Sequence, residues 1–245
     1  VAYVFAHDDA QFGTDEDESI IKCGTYAGTN AENIINVGFE PQYFFIKRTD
    51  SAGLWMCWDF MRGAANNSTN QPSLYFTSAD PESPFGQAYV HQNGFAFHNS
   101  DTDFNVSGGT YIYMAIRRPN KPPEAGTDVF AIQSQTVPQN SWTPGFVPDS
   151  LIFGNYTAAG YDRFWASRLQ GNAKWLYTNT SDGEPGNTTA YFHWDDPTNT
   201  IRQNYNQGGS ASWINYAFKR APGFMDVVAY KGTGSAQAIN HNLGV

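Results

Sequence analysis

Gly38-Phe39-Glu40-Pro41-Gln42-Tyr43-Phe44-Phe45-Ile46 is answered by Gly145-Phe146-Val147-Pro148-Asp149-Ser150-Leu151-Ile152-Phe153, 107 residues further on. Each stretch reads as a Gly-Phe-x-Pro turn opening an apolar strand. Downstream, Trp55-Met56-Cys57-Trp58-Asp59-Phe60-Met61-Arg62-Gly63 is matched by Phe164-Trp165-Ala166-Ser167-Arg168-Leu169-Gln170-Gly171, with the closing glycines 108 apart. Leu74-Tyr75-Phe76-Thr77 is then paired with Trp175-Leu176-Tyr177-Thr178. The unit closes on Thr110-Tyr111-Ile112-Tyr113-Met114-Ala115-Ile116-Arg117-Arg118, echoed 102 residues later by Ser212-Trp213-Ile214-Asn215-Tyr216-Ala217-Phe218-Lys219-Arg220. Four landmarks in one order predict a tandem repeat.

The ends extend the pattern. Residues 1–7 look like the tail of a closing strand from a preceding unit. Tyr230-Lys231-Gly232-Thr233-Gly234-Ser235 repeats Tyr26-Ala27-Gly28-Thr29-Asn30-Ala31, and Asn242-Leu243-Gly244-Val245 repeats Asn36-Val37-Gly38-Phe39. The expected organisation is the end of one repeat with an acidic connector (1–20), a first repeat (21–118), a Pro-rich linker (119–126), a second repeat (127–220) and the opening of a third (221–245). The chain then reads as an internal slice of a longer array; a complete protein whose terminal strands pair with each other is the competing reading.

Aromatic residues make up 16% of the chain and charged residues 15%, with 23 Gly and 13 Pro, a profile of strands punctuated by turns. Apolar residues alternate in 43–47, 95–98 and 111–115, and no window keeps helical spacing for more than a few turns. The expected fold is therefore all-β: tandem antiparallel β-sandwich repeats of jelly-roll or lectin type. A net charge of −9 speaks against nucleic acid as a partner, because phosphate neutralisation needs clustered Lys and Arg. Lys47-Arg48, Arg117-Arg118 and Lys219-Arg220 sit at strand ends, where such pairs solvate an edge. No apolar run reaches the ~18 residues of a membrane-spanning helix.

Cys23 and Cys57 are too few for a disulfide scaffold and have no cysteine counterparts in the second repeat, so both read as half-buried strand residues. A glycan-cleaving site would need two carboxylates facing each other across a cleft. Asp59, Asp101, Asp103, Asp195 and Asp196 are the candidates, but Asp59 falls opposite Ser167 and Asp195-Asp196 has no duplicate. No catalytic residue is assigned. His7, His91, His98, His193 and His241 lack zinc spacing, and His98 and His193 each follow a Phe, as if on the rim of one equivalent strand. No cofactor is expected unless calcium is held by the acidic connector, where Asp8, Asp9, Asp15 and Asp17 offer carboxylate oxygens without EF-hand spacing. The competing reading of that run is a solvated loop.

Binding is better placed on rings and polar loops. Exposed Trp can stack on the C–H face of a sugar while Asn and Asp hydrogen-bond its hydroxyls. Trp58, Trp165 and Trp213 fit repeated core positions, whereas Trp142 and Trp194 lie near turns and are the candidates for exposure. Asp195 and Asp196 follow Trp194, and the polar loops 64–72 and 181–189 contribute Asn66, Asn67 and Asn187. Packing of the two rings against a neighbouring unit or protomer is the alternative use.

Gly-Thr-Tyr-x-Gly-Thr (24–29), Gly-Phe-x-Pro-Gln-Tyr-x-x-Ile-Lys-Arg (38–48), Trp-x-x-x-Asp-x-x-Arg-Gly, Asn-Gly-Phe and Gly-Gly-Thr-Tyr-Ile-Tyr-Met-Ala resemble repeat domains in virion proteins of tailed bacteriophages, of the tail-fibre and tail-tip type. The second repeat departs from it at Gly154-Asn155-Tyr156 and at Ser167-Arg168-Leu169-Gln170-Gly171. The resemblance implies a virion location, β-sandwich modules and assembly as a homo-oligomer or with other virion proteins. It brings no catalytic residues. The expected function is a non-enzymatic, exposed phage protein that presents repeated modules for attachment to a host-surface glycan. Alternatives are a structural capsid- or tail-decorating module, and a bacterial surface adhesin or glycan-degrading enzyme.

Overall fold

The computed structural model describes residues 2, 4–13, 16–64, 71–136, 141–171, 174–184, 192–194, 201–203 and 212–244. It is all-β and antiparallel, and it divides into two compact units, each of which pairs a large sheet with a three-stranded one. The first unit comprises Val1–Phe60, Ala64–Asn120 and Val228–Asn240; the second comprises Met61–Gly63, Lys121–Val227 and His241–Val245.

Among the described residues the first unit has the strands β1 (Ile21–Ala27), β2 (Asn33–Asn36), β3 (Pro41–Arg48), β4 (Trp55–Asp59), β5 (Gln71–Tyr75), β6 (Ser83–Gly86), β7 (Ala88–His91), β8 (Gly94–Phe97) and β9 (Thr110–Arg117). They form a six-stranded sheet, β1-β9-β3-β4-β5-β6, and a three-stranded sheet, β2-β8-β7. Alternation along β9 turns Tyr111, Tyr113 and Ala115 inward, and along β3 it turns Phe44 and Ile46 inward. The sheets meet through rings: Phe44 stacks on Phe95 at 4.3 Å, and Trp58 meets Phe97 edge-on at 5.8 Å. Pro41 starts β3 where the register to β9 slips by one residue, a place for a residue without a donor to the ladder.

The second unit has β10 (Phe130–Thr136), β11 (Ser141–Trp142), β12 (Ser150–Asn155), β13 (Arg163–Ser167), β14 (Leu176–Tyr177), β15 (Phe192–His193), β16 (Ile201–Gln203) and β17 (Ser212–Phe218). Its sheets run β10-β17-β12-β13-β14 and β11-β16-β15, which among the described residues is the strand order of the first unit as far as β5 and in the three-stranded sheet. Gly38 and Gly145, which open the two Gly-Phe-x-Pro turns, share positive φ values of 91° and 92°. The inward residues also fall in phase: Phe44 and Leu151, Ile46 and Phe153, Tyr111 and Trp213, Ala115 and Ala217 are all buried.

Strand pairing corrects one landmark by a residue. Met56 pairs with Tyr75 and Phe164 pairs with Tyr177, so Leu74-Tyr75 corresponds to Leu176-Tyr177 rather than to Trp175-Leu176. A one-residue slip exchanges the two faces of a strand, which pairing partners decide and similarity of apolar runs does not. The same alternation overturns the burial expected of Trp165. It lies between the inward Phe164 and Ala166, is 45% exposed, and donates its indole N–H to Ser150 Oγ at 2.6 Å. Trp58 and Trp213 are buried. Neither cysteine is half-buried: Cys23 is exposed and Cys57 buried, and neither forms a disulfide. Arg220 does not solvate an edge. It is buried and ion-paired to Asp226 at 2.6 Å, and its backbone N–H donates to Asp149.

Residues 221–244 contain no strand. The stretch read as the opening of a third repeat is divided, Val228–Asn240 lying with the first unit and His241–Val245 with the second. In the first unit it is held by Gln92 N–H to Ala229 O at 3.2 Å, by Asn240 to the side chains of Gln92 and Asn93, and by a Lys231–Glu32 ion pair.

Candidate binding site

The sequence-derived ring candidates are not surface platforms. Trp142 and Trp194 are 5% and 3% exposed, packed with Phe153, Phe164, Trp175 and Trp213 in the core of the second unit. Arg168 holds Trp194 there, with its guanidinium 5.3 Å from the ring and donating to the carbonyls of Trp194 and Pro148. Asn66, Asn67, Asn187, Asp195, Asp196 and Asp15 lie outside the described residues. In the connector, Asp8 is ion-paired to Lys22 and accepts from Ser19, while Asp9 and Asp17 are exposed. Among the described residues, no three His, Cys, Asp or Glu side chains gather as a metal set. Asp101 and Asp103 are committed to backbone, accepting from the N–H groups of Asp103 and Leu54 at 2.8 and 2.9 Å.

The first unit instead carries a polar cavity of about 270 Å³ lined by Glu32, Tyr89, His91, His98, Ala229, Tyr230 and Lys231. Glu32 sits in the turn between β1 and β2, and that turn is fixed by Asn105. Wholly buried, Asn105 uses its full side-chain capacity there. Its Nδ2 donates to the carbonyls of Ala31 and Asn99, and its Oδ1 accepts from Thr29 N–H and Asn33 Nδ2, at 2.7–3.1 Å. A buried amide with every hydrogen bond met specifies one loop conformation.

Tyr89 and His91 come from β7, and His98 directly follows β8. Gly94 opens β8 beside the Ile35 carbonyl of β2, so close that a Cβ there would collide with it. This approach seats the sheet that carries both histidines. Tyr89 donates its phenol to Glu32 at 2.7 Å, and the His98 imidazole stacks on Tyr89 at 4.3 Å between ring centroids. Lys231 completes the set through its ion pair with Glu32.

Electrostatics follow from these neighbours. Lys231, then Tyr89, holds the Glu32 carboxyl below its ordinary range, so Glu32 is ionised at neutral pH. Burial, reinforced by Glu32, pushes the Tyr89 phenol up and keeps it a donor. Burial lowers both His91 and His98 below 6.5, leaving neutral rings at pH 7. His98 Nε2 is closed off from water and has no hydrogen-bond partner among the described residues, an unmet capacity that costs free energy as it stands.

None of these cavity residues was singled out as a site from the sequence, although one signal was present. Ala88-Tyr89-Val90-His91 recurs 102 residues later as Ala190-Tyr191-Phe192-His193. Strand order agrees, because among the described residues β7 and β15 are the edges next to β8 and β16 respectively. His193 therefore answers His91 and not His98.

Residues 1–119, just under half of the chain, match a domain of unknown function (DUF7483). The match ends one residue before the first unit's boundary at Asn120. No curated protein and no solved structure matches the chain.

Proposed function

We propose that this chain is a non-enzymatic, exposed component of a phage virion, of tail-fibre or tail-associated type, whose β-sandwich modules attach to a glycan on the host surface. The observation that carries this reading is the double use of one strand order with unlike side chains at the chemically capable positions. Asp59 stands where the second unit has Ser167, and Cys57 where it has Trp165. A framework kept while its polar groups change is what display requires, because weak contacts multiplied over modules give avidity without a shared catalytic set. The motif resemblance of the first unit supports the virion location, and its polar cavity offers a place for a hydroxylated ligand. A second copy of the chain or other virion proteins would be its partners in the particle.

The purely structural reading, a capsid- or tail-decorating module, gains from the burial of Trp142 and Trp194, which removes two stacking platforms. One pair of measurements separates the two. Antibody to the chain should label intact phage particles by immunoelectron microscopy, and the purified protein should adhere to host cells and compete with phage adsorption. Labelling without adhesion leaves the decorating module; absence of label from the particles removes the virion reading.

A further inference from the structure

The geometry points to a binding site, in the Glu32–Tyr89–His91–His98–Lys231 cavity of the first unit, for one uncharged, hydroxyl-bearing ring of monosaccharide size. This deepens the attachment reading, on which it rests for where such a ring would be met.

Size limits the ligand first. A cavity of about 270 Å³ falls just under the ~300 Å³ at which sites for drug-sized molecules begin, so it suits one ring and not a chain of them. Charge limits it next. Glu32 and Lys231 cancel one another, and burial keeps both imidazoles neutral at pH 7. A charged ligand would lack a counter-charge and carry the full cost of desolvation. A neutral ligand avoids the ionic part of that cost, and its hydroxyls recover theirs through hydrogen bonds.

Hydrogen-bonding capacity then selects hydroxyls. A neutral imidazole has one donor and one acceptor nitrogen, of which His91 has given its acceptor Nδ1 to the Asn93 N–H, and a carboxylate has about four lone-pair sites. Glu32 has used one for Tyr89 and one for Lys231. His98 lines the cavity, and a hydroxyl, which can both give and take a proton, matches a neutral imidazole in either tautomer. An aliphatic ligand would leave these groups unmatched. Tyr230, 53% exposed on the cavity lining, offers a ring face for the C–H side of a pyranose.

The unit builds this constellation at some structural cost. Asn105 fixes the Glu32 turn, and Gly94 allows β8 to lie close to β2. The His98–Tyr89 stack and the Tyr89–Glu32 hydrogen bond then run in one line from β8 to that turn.

The test is saturation-transfer NMR on the whole chain with free hexoses, 6-deoxyhexoses and N-acetylhexosamines, alongside glucuronate and glucosamine as charged probes. At least one neutral sugar should receive transfer and shift the His91 and His98 ring signals, with the charged probes weaker. His98→Phe keeps a ring on Tyr89 and removes both ring nitrogens, so affinity should fall about tenfold or more, the loss of one well-placed hydrogen bond. Tyr230→Ala, at an exposed position that leaves folding intact, should weaken the same sugar. The inference is overturned if no neutral sugar binds, or if both variants bind as the parent does. Cell adhesion by the same proteins separates the two levels. Adhesion that survives His98→Phe and Tyr230→Ala removes this site and leaves attachment standing. Sugar binding without adhesion leaves the site and removes attachment.

Discussion

The two units fill one strand order in different ways. At the place next to Phe44 on β3 the first unit has Trp58, and at the corresponding place next to Leu151 on β12 the second has Ala166, both wholly buried. Next to the inward alanine of the sheet's long second strand, Tyr113 in β9 is answered by Asn215 in β17. The volume lost on the strands returns from elsewhere, as Trp142, Trp175 and Trp194 join the second core. Core volume is thus a property of the whole sandwich, while alternation and turn chemistry fix the strand order. Polar closure differs as well. The first unit locks its loops with Asn105; the second uses buried guanidinium groups, Arg168 on the Pro148 carbonyl and Arg220 on Asp226.

The largest effects should therefore be unit-specific. Trp58→Ala empties the first core and should cost about 3–5 kcal/mol, read as lost hydrogen-exchange protection in β3, β4 and β9. Asp226→Ala strands the buried Arg220 charge and should cost a similar ~3–5 kcal/mol, read in β12 and β17. If either substitution lowers protection equally in both units, their cores are one cooperative system and the contrast drawn between them fails. Asn105→Ala comes next, at about 2–3 kcal/mol for the donors and acceptors it orphans. It should also free the turn that holds Glu32, so the Tyr89 ring signals should shift with it. An unchanged Tyr89 environment would mean that the turn is held by other bonds.

The distance over which a feature is encoded decides whether it was legible in the sequence. Strand type, alternation and the Gly-Phe-x-Pro turns are local, and they came through at Phe44, Ile46, Leu151 and Phe153. The Leu74-Tyr75 register did not, because only pairing with Met56 and Cys57 sets it. Trp142 and Trp194 were misjudged because nearby Pro and Gly residues suggest a surface turn, whereas the cluster that buries them is drawn from β12, β13 and β17. The cavity was the least legible feature. Its Lys231–Glu32 pair joins residues 199 apart, and no motif spans such a gap.

The smallest effect is the most diagnostic of the first unit, because it separates groups that share one cavity. His91 and His98 have folded-state values lowered from 6.5, so an unfolded chain binds protons there before the folded one does. The stability they contribute is complete above that value and is lost as pH falls from 6.5 through the lowered values. Glu32 is lowered from 4.5 and acts in the same direction in a second window, from 4.5 downward. Its ion pair with the well-exposed Lys231 limits that share to under about 1 kcal/mol. Denaturant titrations followed by exchange in β7 and β8 should show two successive losses on acidification. His98→Phe should shrink the upper one to the share of His91 and leave the lower, and Lys231→Met should shrink mainly the lower, with a smaller effect on the upper through His98. A single loss that both substitutions alter alike would mean that the imidazoles and the carboxylate titrate as one unit, joined through the Tyr89 ring that touches His98 and Glu32.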